Sequence, residues 1–150
     1  LKNPTKTEER YNYLLKVGQR LAKKLRGSAS PPEVNLLKLL KKLDYKFKFQ
    51  YPIVCRKSHL FILDFYFPEL EVGIEVQSKQ WHSTKEQKAK DAKKKRLVKK
   101  EGVEILYLYP KQIDLLTSES LLQIIKIAEL IKEEKQKTNG GNSDNKVTNS

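Results

Sequence analysis

The chain has 150 residues, enough for one ordinary domain with a real core and too few for two. Thirty-one Lys and Arg stand against 18 Asp and Glu, a formal charge of +13 beside 38% hydrophobic residues; this excludes a chain disordered throughout and makes a polyanion, nucleic acid first, the expected partner. No apolar run approaches the roughly 20 residues that cross a bilayer and no secretory pattern opens the chain, so no membrane partner and a cytoplasmic or nucleoid location are expected.

From about Thr5 to Leu25, apolar residues recur every three or four positions among Lys and Arg, which predicts an amphipathic helix. Ser30 then offers an N-cap ahead of Pro31 and Pro32, and a second helix with a leucine stripe is expected from Pro32 to about Leu43. Tyr45 to Val54 alternates Lys46, Lys48 and Gln50 with Phe47, Phe49 and Tyr51, the period of a half-buried strand. Leu60 to Phe67 reads as a second strand, Pro68 to Glu71 as a turn and Val72 to Gln77 as a third strand, together an antiparallel meander.

Thr84 to Glu101 predicts a very basic helix ending at a left-handed Gly102, and Glu104 to Tyr109 a fourth strand that pairs in parallel after this crossover. Pro110 ends that strand. A last helix is expected from Ser118 to about Lys135, followed by an Asn-, Gly- and Ser-rich tail without structure. The division is then 1–30 for the first helix and linker, 31–136 for the main domain and 137–150 for the tail. The order αα-βββ-α-β-α is a mixed α/β arrangement, an antiparallel meander plus a parallel strand flanked by helices.

The lone Cys55 forms no internal disulfide and no cysteine-based zinc site. With Leu1 first and no methionine, the chain is expected to be a fragment, with a target-selecting element expected before it.

Alternation puts Phe61, Leu63, Phe65 and Phe67 on one face of the second strand and Leu60, Ile62, Asp64 and Tyr66 on the other. Asp64 is its only charged residue. On the third strand Gly73, Glu75 and Gln77 oppose Val72, Ile74 and Val76. A turn that sets Tyr66 across from Gly73 sets Asp64 across from Glu75, with Cβ atoms about 5 Å apart. Two carboxylates so placed repel each other unless a cation lies between them. Magnesium, with manganese as its substitute, takes such oxygen ligands and keeps several waters; Asp64, Glu75 and the Val76 carbonyl would hold it and leave room for phosphate and water. The plain alternative is a solvent-facing pair of acids on an amphipathic hairpin.

Residues 33–109 resemble the PD-(D/E)XK nuclease superfamily, most closely its branch of very-short-patch repair-like and small homing endonucleases. The resemblance lies in Pro32-Glu33 at a helix start, Phe61-Ile62-Leu63-Asp64-Phe65-Tyr66, Gly73-Ile74-Glu75-Val76-Gln77, Trp81-His82, and Asp91 on the basic helix before Gly102 and Ile105-Leu106-Tyr107. It implies a restriction-endonuclease-like core, metal binding by Asp64 and Glu75, and help from a helical acid such as Glu33. The departure is Gln77, where most members carry a lysine that steadies the transition state. His82 is the candidate for proton transfer. Asp91 either orients His82, completes the metal site, or pairs with Lys95 on the helix surface.

Ten Lys or Arg against two acids between Lys79 and Lys100 form a solvated helix face or a clamp on a phosphate backbone, with Lys79, Lys94, Lys95 and Arg96 as contacts. Trp81 either stacks on a base or is a buried hinge aromatic. The expected activity is metal-dependent hydrolysis of phosphodiester bonds in DNA, double-stranded in the first instance, by cutting or nicking at chosen sites as in homing or repair. A silent nucleic-acid-binding module of the same shape and a branched-DNA nuclease are the alternatives, and a homodimer stays open.

Overall fold

The structure, a computed structural model, describes residues 5–77 and 84–148, with side chains through residue 138. Helix α1 spans Lys6–Gly27, α2 Pro31–Leu40, α3 Lys85–Lys100, α4 Pro110–Leu115 and α5 Ser118–Thr148; strands β1 Lys48–Cys55, β2 His59–Phe67, β3 Val72–Val76 and β4 Glu104–Leu108 form one sheet in the order β1-β2-β3-β4. The first two pairings are antiparallel and β3 pairs with β4 in parallel, so the expected mixed α/β sheet is present. Among the described residues no helix is long and apolar enough to cross a membrane.

Local chemistry explains most element boundaries. Thr5 and Ser30 each accept a backbone N–H three residues on, while Glu8 and Glu33 reach back to the cap N–H; each such box stabilises its helix start by about 1 kcal/mol. Gly102, with φ +86, closes α3 by donating its N–H to the Lys99 carbonyl at 2.9 Å. Pro110 was expected only to end a strand. It also opens α4, because a proline at N1 lacks an N–H that the first turn leaves unpaired anyway. Helix α5 continues to Thr148, well past the expected end near Lys135: propagating a helix that is already nucleated and docked costs little per residue.

Two apolar clusters lie on opposite faces of the sheet. One joins Leu36 and Leu40 of α2 with Phe65, Phe67, Ile74 and Leu108, beneath Ile113 of α4 and Leu121 and Ile125 of α5. The other joins Cys55, Leu63 and Ile105 with Leu97 and Val98 of α3. Helix α1 covers β1 and β2, and its approach is so close that a Cβ on Gly18 would lie 2.7 Å from both the Pro52 Cβ and a Leu60 methyl.

The clusters correct one expectation. Phe61 and Leu63 face α3, whereas Phe65 and Phe67 face α2 and α5, so the aromatic stripe of β2 does not stay on one face. The same change occurs on β1, where Phe49 stacks on Phe65 at 5.0 Å and Tyr51 stacks on Tyr66 at 4.5 Å. Between them Gln50 has φ +54, a left-handed backbone that breaks the two-residue alternation. Its opposite number in the register is Asp64, since the flanking rungs are Phe49 with Phe65 and Tyr51 with Leu63.

Candidate active site

Asp64 sits where the β1–β2 ladder skips a rung and the β2–β3 ladder ends. Tyr66 pairs with Gly73 and Phe65 with Ile74, the expected register, and the backbone pairing stops there. In place of the next backbone bond, Asp64 Oδ2 accepts the Val76 N–H at 2.8 Å. This aims the carboxyl across the end of the hairpin toward Glu75, with which it lies within hydrogen-bonding range. Glu75 is only 8% exposed, and its backbone neighbour on β4 is Tyr107.

Glu33 reaches the same place from α2. It occupies the buried stripe that continues through Leu36 and Leu40, and its carboxylate both accepts the Ser30 N–H at 2.8 Å and faces Asp64. Three acids from a helix and two strands therefore meet in a row, Asp64 in the middle. Burial, then repulsion and proton sharing with Glu75, raise the Asp64 pKa to about 7, against the opposing pull of the Val76 N–H and the Lys94 charge. Burial first, and Asp64 after the opposing Ser30 N–H, raise that of Glu33 as well.

Lys94 completes the cluster. It was expected on the outer, DNA-facing side of α3, and the structure places it inside: its ammonium is ion-paired with Glu75 Oε1 and donates to the Ile62 carbonyl at 3.2 Å. Helix periodicity supplies the reason. Leu97 and Val98 are the buried apolar residues of α3, and the positions three and four residues before them on the inner face are Lys94 itself and, a turn further back, Asp91 and Gln87. Those three are the half-buried polar residues of the helix, while Lys85, Lys88, Lys90, Lys93, Lys95, Arg96, Lys99 and Lys100 are exposed.

Asp91 accepts a hydrogen bond from Gln87 Nε2 at 3.1 Å and lies close enough to the Tyr107 phenol to raise its pKa. Burial first, then the charges of Glu75 and Asp91, push that phenol up to about 12. Lys95 Nζ stands over the Tyr107 ring, 5.7 Å from its centroid. Tyr107 is thus a member of the site that the sequence reading missed; its place opposite Glu75 on the parallel strand was the available signal. Gln77, directly after β3, is half-buried and donates its N–H to the Leu108 carbonyl at 2.9 Å. Lys79, Trp81 and His82 lie outside the described residues.

The donor set is one of hard carboxylate oxygens, one Asp64 oxygen being occupied by the Val76 N–H and one Glu75 oxygen by an ammonium. It suits a magnesium-like cation, which would compete with Lys94 for Glu75. Among the described residues no three carboxylate, imidazole or thiol groups already converge on one point as a ready cage. A shallow, mostly apolar hollow of about 570 Å³ lined by Lys99, Ile127, Leu130 and Ile131 lies elsewhere, between α3 and α5, and holds none of these acids.

The acids thus stand in a row at the opened end of a hairpin, beneath a basic crossover helix. The family described as "Restriction endonuclease PvuRts1 I-like, N-terminal" matches residues 34–149, and the chain belongs to it. The match begins immediately after Glu33 and takes in Asp64, Glu75, Gln77 and all of α3. No curated protein matches the chain. Among solved structures it is similar to one titled "Homing Endonuclease I-Bth0305I Catalytic Domain", at 20% identity over 70% of this chain and 93% of that one, with a TM-score of 0.41, an overlap too loose to bear on the site.

Proposed function

We propose that the chain is a metal-dependent DNA endonuclease domain of the PD-(D/E)XK type, in which Asp64 and Glu75, with the Val76 carbonyl, hold magnesium or manganese. The meeting of Asp64, Glu75 and Glu33 inside a protein of charge +13 carries this reading. Uncompensated, such a cluster opposes folding, and a chain rich in surface cations has no need of one except to gather positive charge at a chosen point. When bound, the ion supplies polarisation of the phosphate and acidification of a bound water.

The chain's own residues divide the rest of the work. Glu33 holds the outer side of Asp64, and the Val76 N–H fixes the rotation of its carboxyl. Gln77 orients water by hydrogen bonding, with His82 as the group that moves a proton and Asp91 as its orienting acid. Lys95, Arg96 and Lys79 contact the phosphate backbone, and Trp81 stacks on or wedges against bases; the exposed outer face of α3 supports the first part of this. Duplex DNA in the cytoplasm or nucleoid is the substrate, cut or nicked at chosen sites, and the likeness in motif order to the very-short-patch repair and homing branch belongs to the same reading.

The test is plasmid cleavage with and without the ion. Nicking or cutting that requires magnesium or manganese, stops in chelator and disappears in Glu75→Ala is the expected result; cleavage indifferent to chelator would refute it. One observation favours a second reading, a catalytically silent DNA-binding module: the Lys94 ammonium already neutralises Glu75. Undiminished duplex binding in chelator, with no hydrolysis under any divalent ion, would select that reading.

A further inference from the structure

Ten Lys or Arg lie between Lys79 and Lys100, yet the site position that most PD-(D/E)XK members give to lysine holds the neutral amide of Gln77. The structure shows where a positive charge does stand. Lys94 comes from α3, its side chain 23% exposed, and its ammonium rests on Glu75 Oε1 and on the Ile62 carbonyl at 3.2 Å. It is also close enough to Asp64 for its charge to stabilise that carboxylate. Gln77 follows the end of β3, two residues after Glu75, so a charge delivered to Glu75 from the helix stands close in the chain to position 77.

The geometry points to Lys94 as the catalytic cation of the site, supplied by helix α3 in place of a lysine on strand β3. This assignment rests on the endonuclease reading above. An ammonium has three N–H donors. Glu75 and Ile62 take two, and the third has no partner among the described residues, which leaves it for a phosphate oxygen of the substrate. In hydrolysis the water oxygen bonds to phosphorus as the bond to the leaving sugar oxygen breaks; a water proton is given up to a base and the leaving oxygen gains one. Lys94 keeps its proton throughout and stabilises the negative charge that grows on the phosphate, an effect strong where water is partly excluded. The other lysines of the helix lack this position: Lys95, its neighbour, stands over the Tyr107 ring instead.

The alternative role is that of a counter-ion which merely quietens Glu75 until a metal displaces it. The two make opposite predictions for Lys94→Met. A counter-ion's loss leaves cleavage unchanged or faster; a catalytic cation's loss slows cleavage about 100-fold or more, while magnesium affinity by calorimetry and duplex affinity in calcium stay equal to wild type or improve. Adding Gln77→Lys to Lys94→Met returns an ammonium to the site and is expected to recover at least about tenfold of the lost rate.

Cleavage by Lys94→Met within threefold of wild type overturns the assignment, as does a folded double variant that cuts no faster than the single one. Should Lys94→Met fail to fold, the double variant decides alone: cutting within tenfold of wild type supports the assignment, and a folded double variant without cleavage overturns it. Failure of the underlying reading looks different, because wild type then cuts no DNA with any divalent ion, and the assignment falls with it.

Discussion

Lys94 and Lys95 are consecutive on one helix, and the protein uses them in opposite ways. Lys94 turns inward to a glutamate whose side chain is 11% exposed, while Lys95 is exposed and stands over the Tyr107 ring at the rim of the site. The difference is one of helix phase: Leu97 and Val98 anchor α3 to the sheet, and only the residue a turn behind them can reach the carboxylates. A run of lysines is therefore not one feature. One member belongs to the acid cluster and sets its electrostatics; the rest form a surface.

Removing each member of the pair separates the two roles. Lys94→Ala leaves Glu75 buried without its counter-charge and is expected to cost about 2 kcal/mol in chelator, a partly exposed version of breaking a buried ion pair; urea denaturation measures it. An unchanged midpoint would mean that the ion pair does not hold the apo site together. Lys95→Ala is expected to change stability by no more than about 0.5 kcal/mol.

The acids on which Lys94 acts give a smaller, pH-dependent effect. Asp64 has its pKa raised from 3.8 to about 7, so its folded state favours the proton. The stability linked to that proton is fully present below about pH 4 and is lost as pH rises through about 7. In chelator the melting temperature is expected to fall by several degrees from pH 6 to pH 8, with Glu33 acting in the same direction, and the slope is expected to flatten in Asp64→Asn. Metal affinity is expected to run the other way and to rise over this interval, since an ion needs the carboxylate deprotonated. A melting curve that is flat in wild type, or equally steep in Asp64→Asn, would contradict the placing of the proton on Asp64.

The outer face gives the smallest effect per residue. Lys95→Ala and Arg96→Ala are each expected to weaken duplex binding similarly for all sequences and to lower the slope of log affinity against log salt by about 1. Fluorescence anisotropy across a salt series checks this; a sequence-selective loss with an unchanged slope would assign them to base contacts instead.

Much of this was legible in the sequence, and what was missed has identifiable causes. The strands, their register and the convergence of Asp64 and Glu75 follow from alternation and from a short turn that fixes Tyr66 opposite Gly73. The change of face at Asp64 was hidden because nothing in the residue type of Gln50 announces its left-handed backbone, and Phe47, Phe49 and Tyr51 alternate in sequence as if the strand were regular. Lys94 was assigned to the phosphate-contacting surface rather than to the acid cluster because its neighbours are also cationic, although counting back from Leu97 and Val98 would have turned it inward. Glu33 came from a likeness in motif rather than from spacing; its capping box with Ser30 and its stripe with Leu36 now account for its position.

The central claim is that the acid pair cuts DNA with a bound divalent ion. Its most direct measurement is cleavage of duplex DNA in magnesium by wild type beside an Asp64→Ala, Glu75→Ala double variant whose fold and DNA binding are verified in the same preparation. Metal-dependent cutting by wild type and none by the double variant is the predicted result; persistent cutting by the double variant would contradict it.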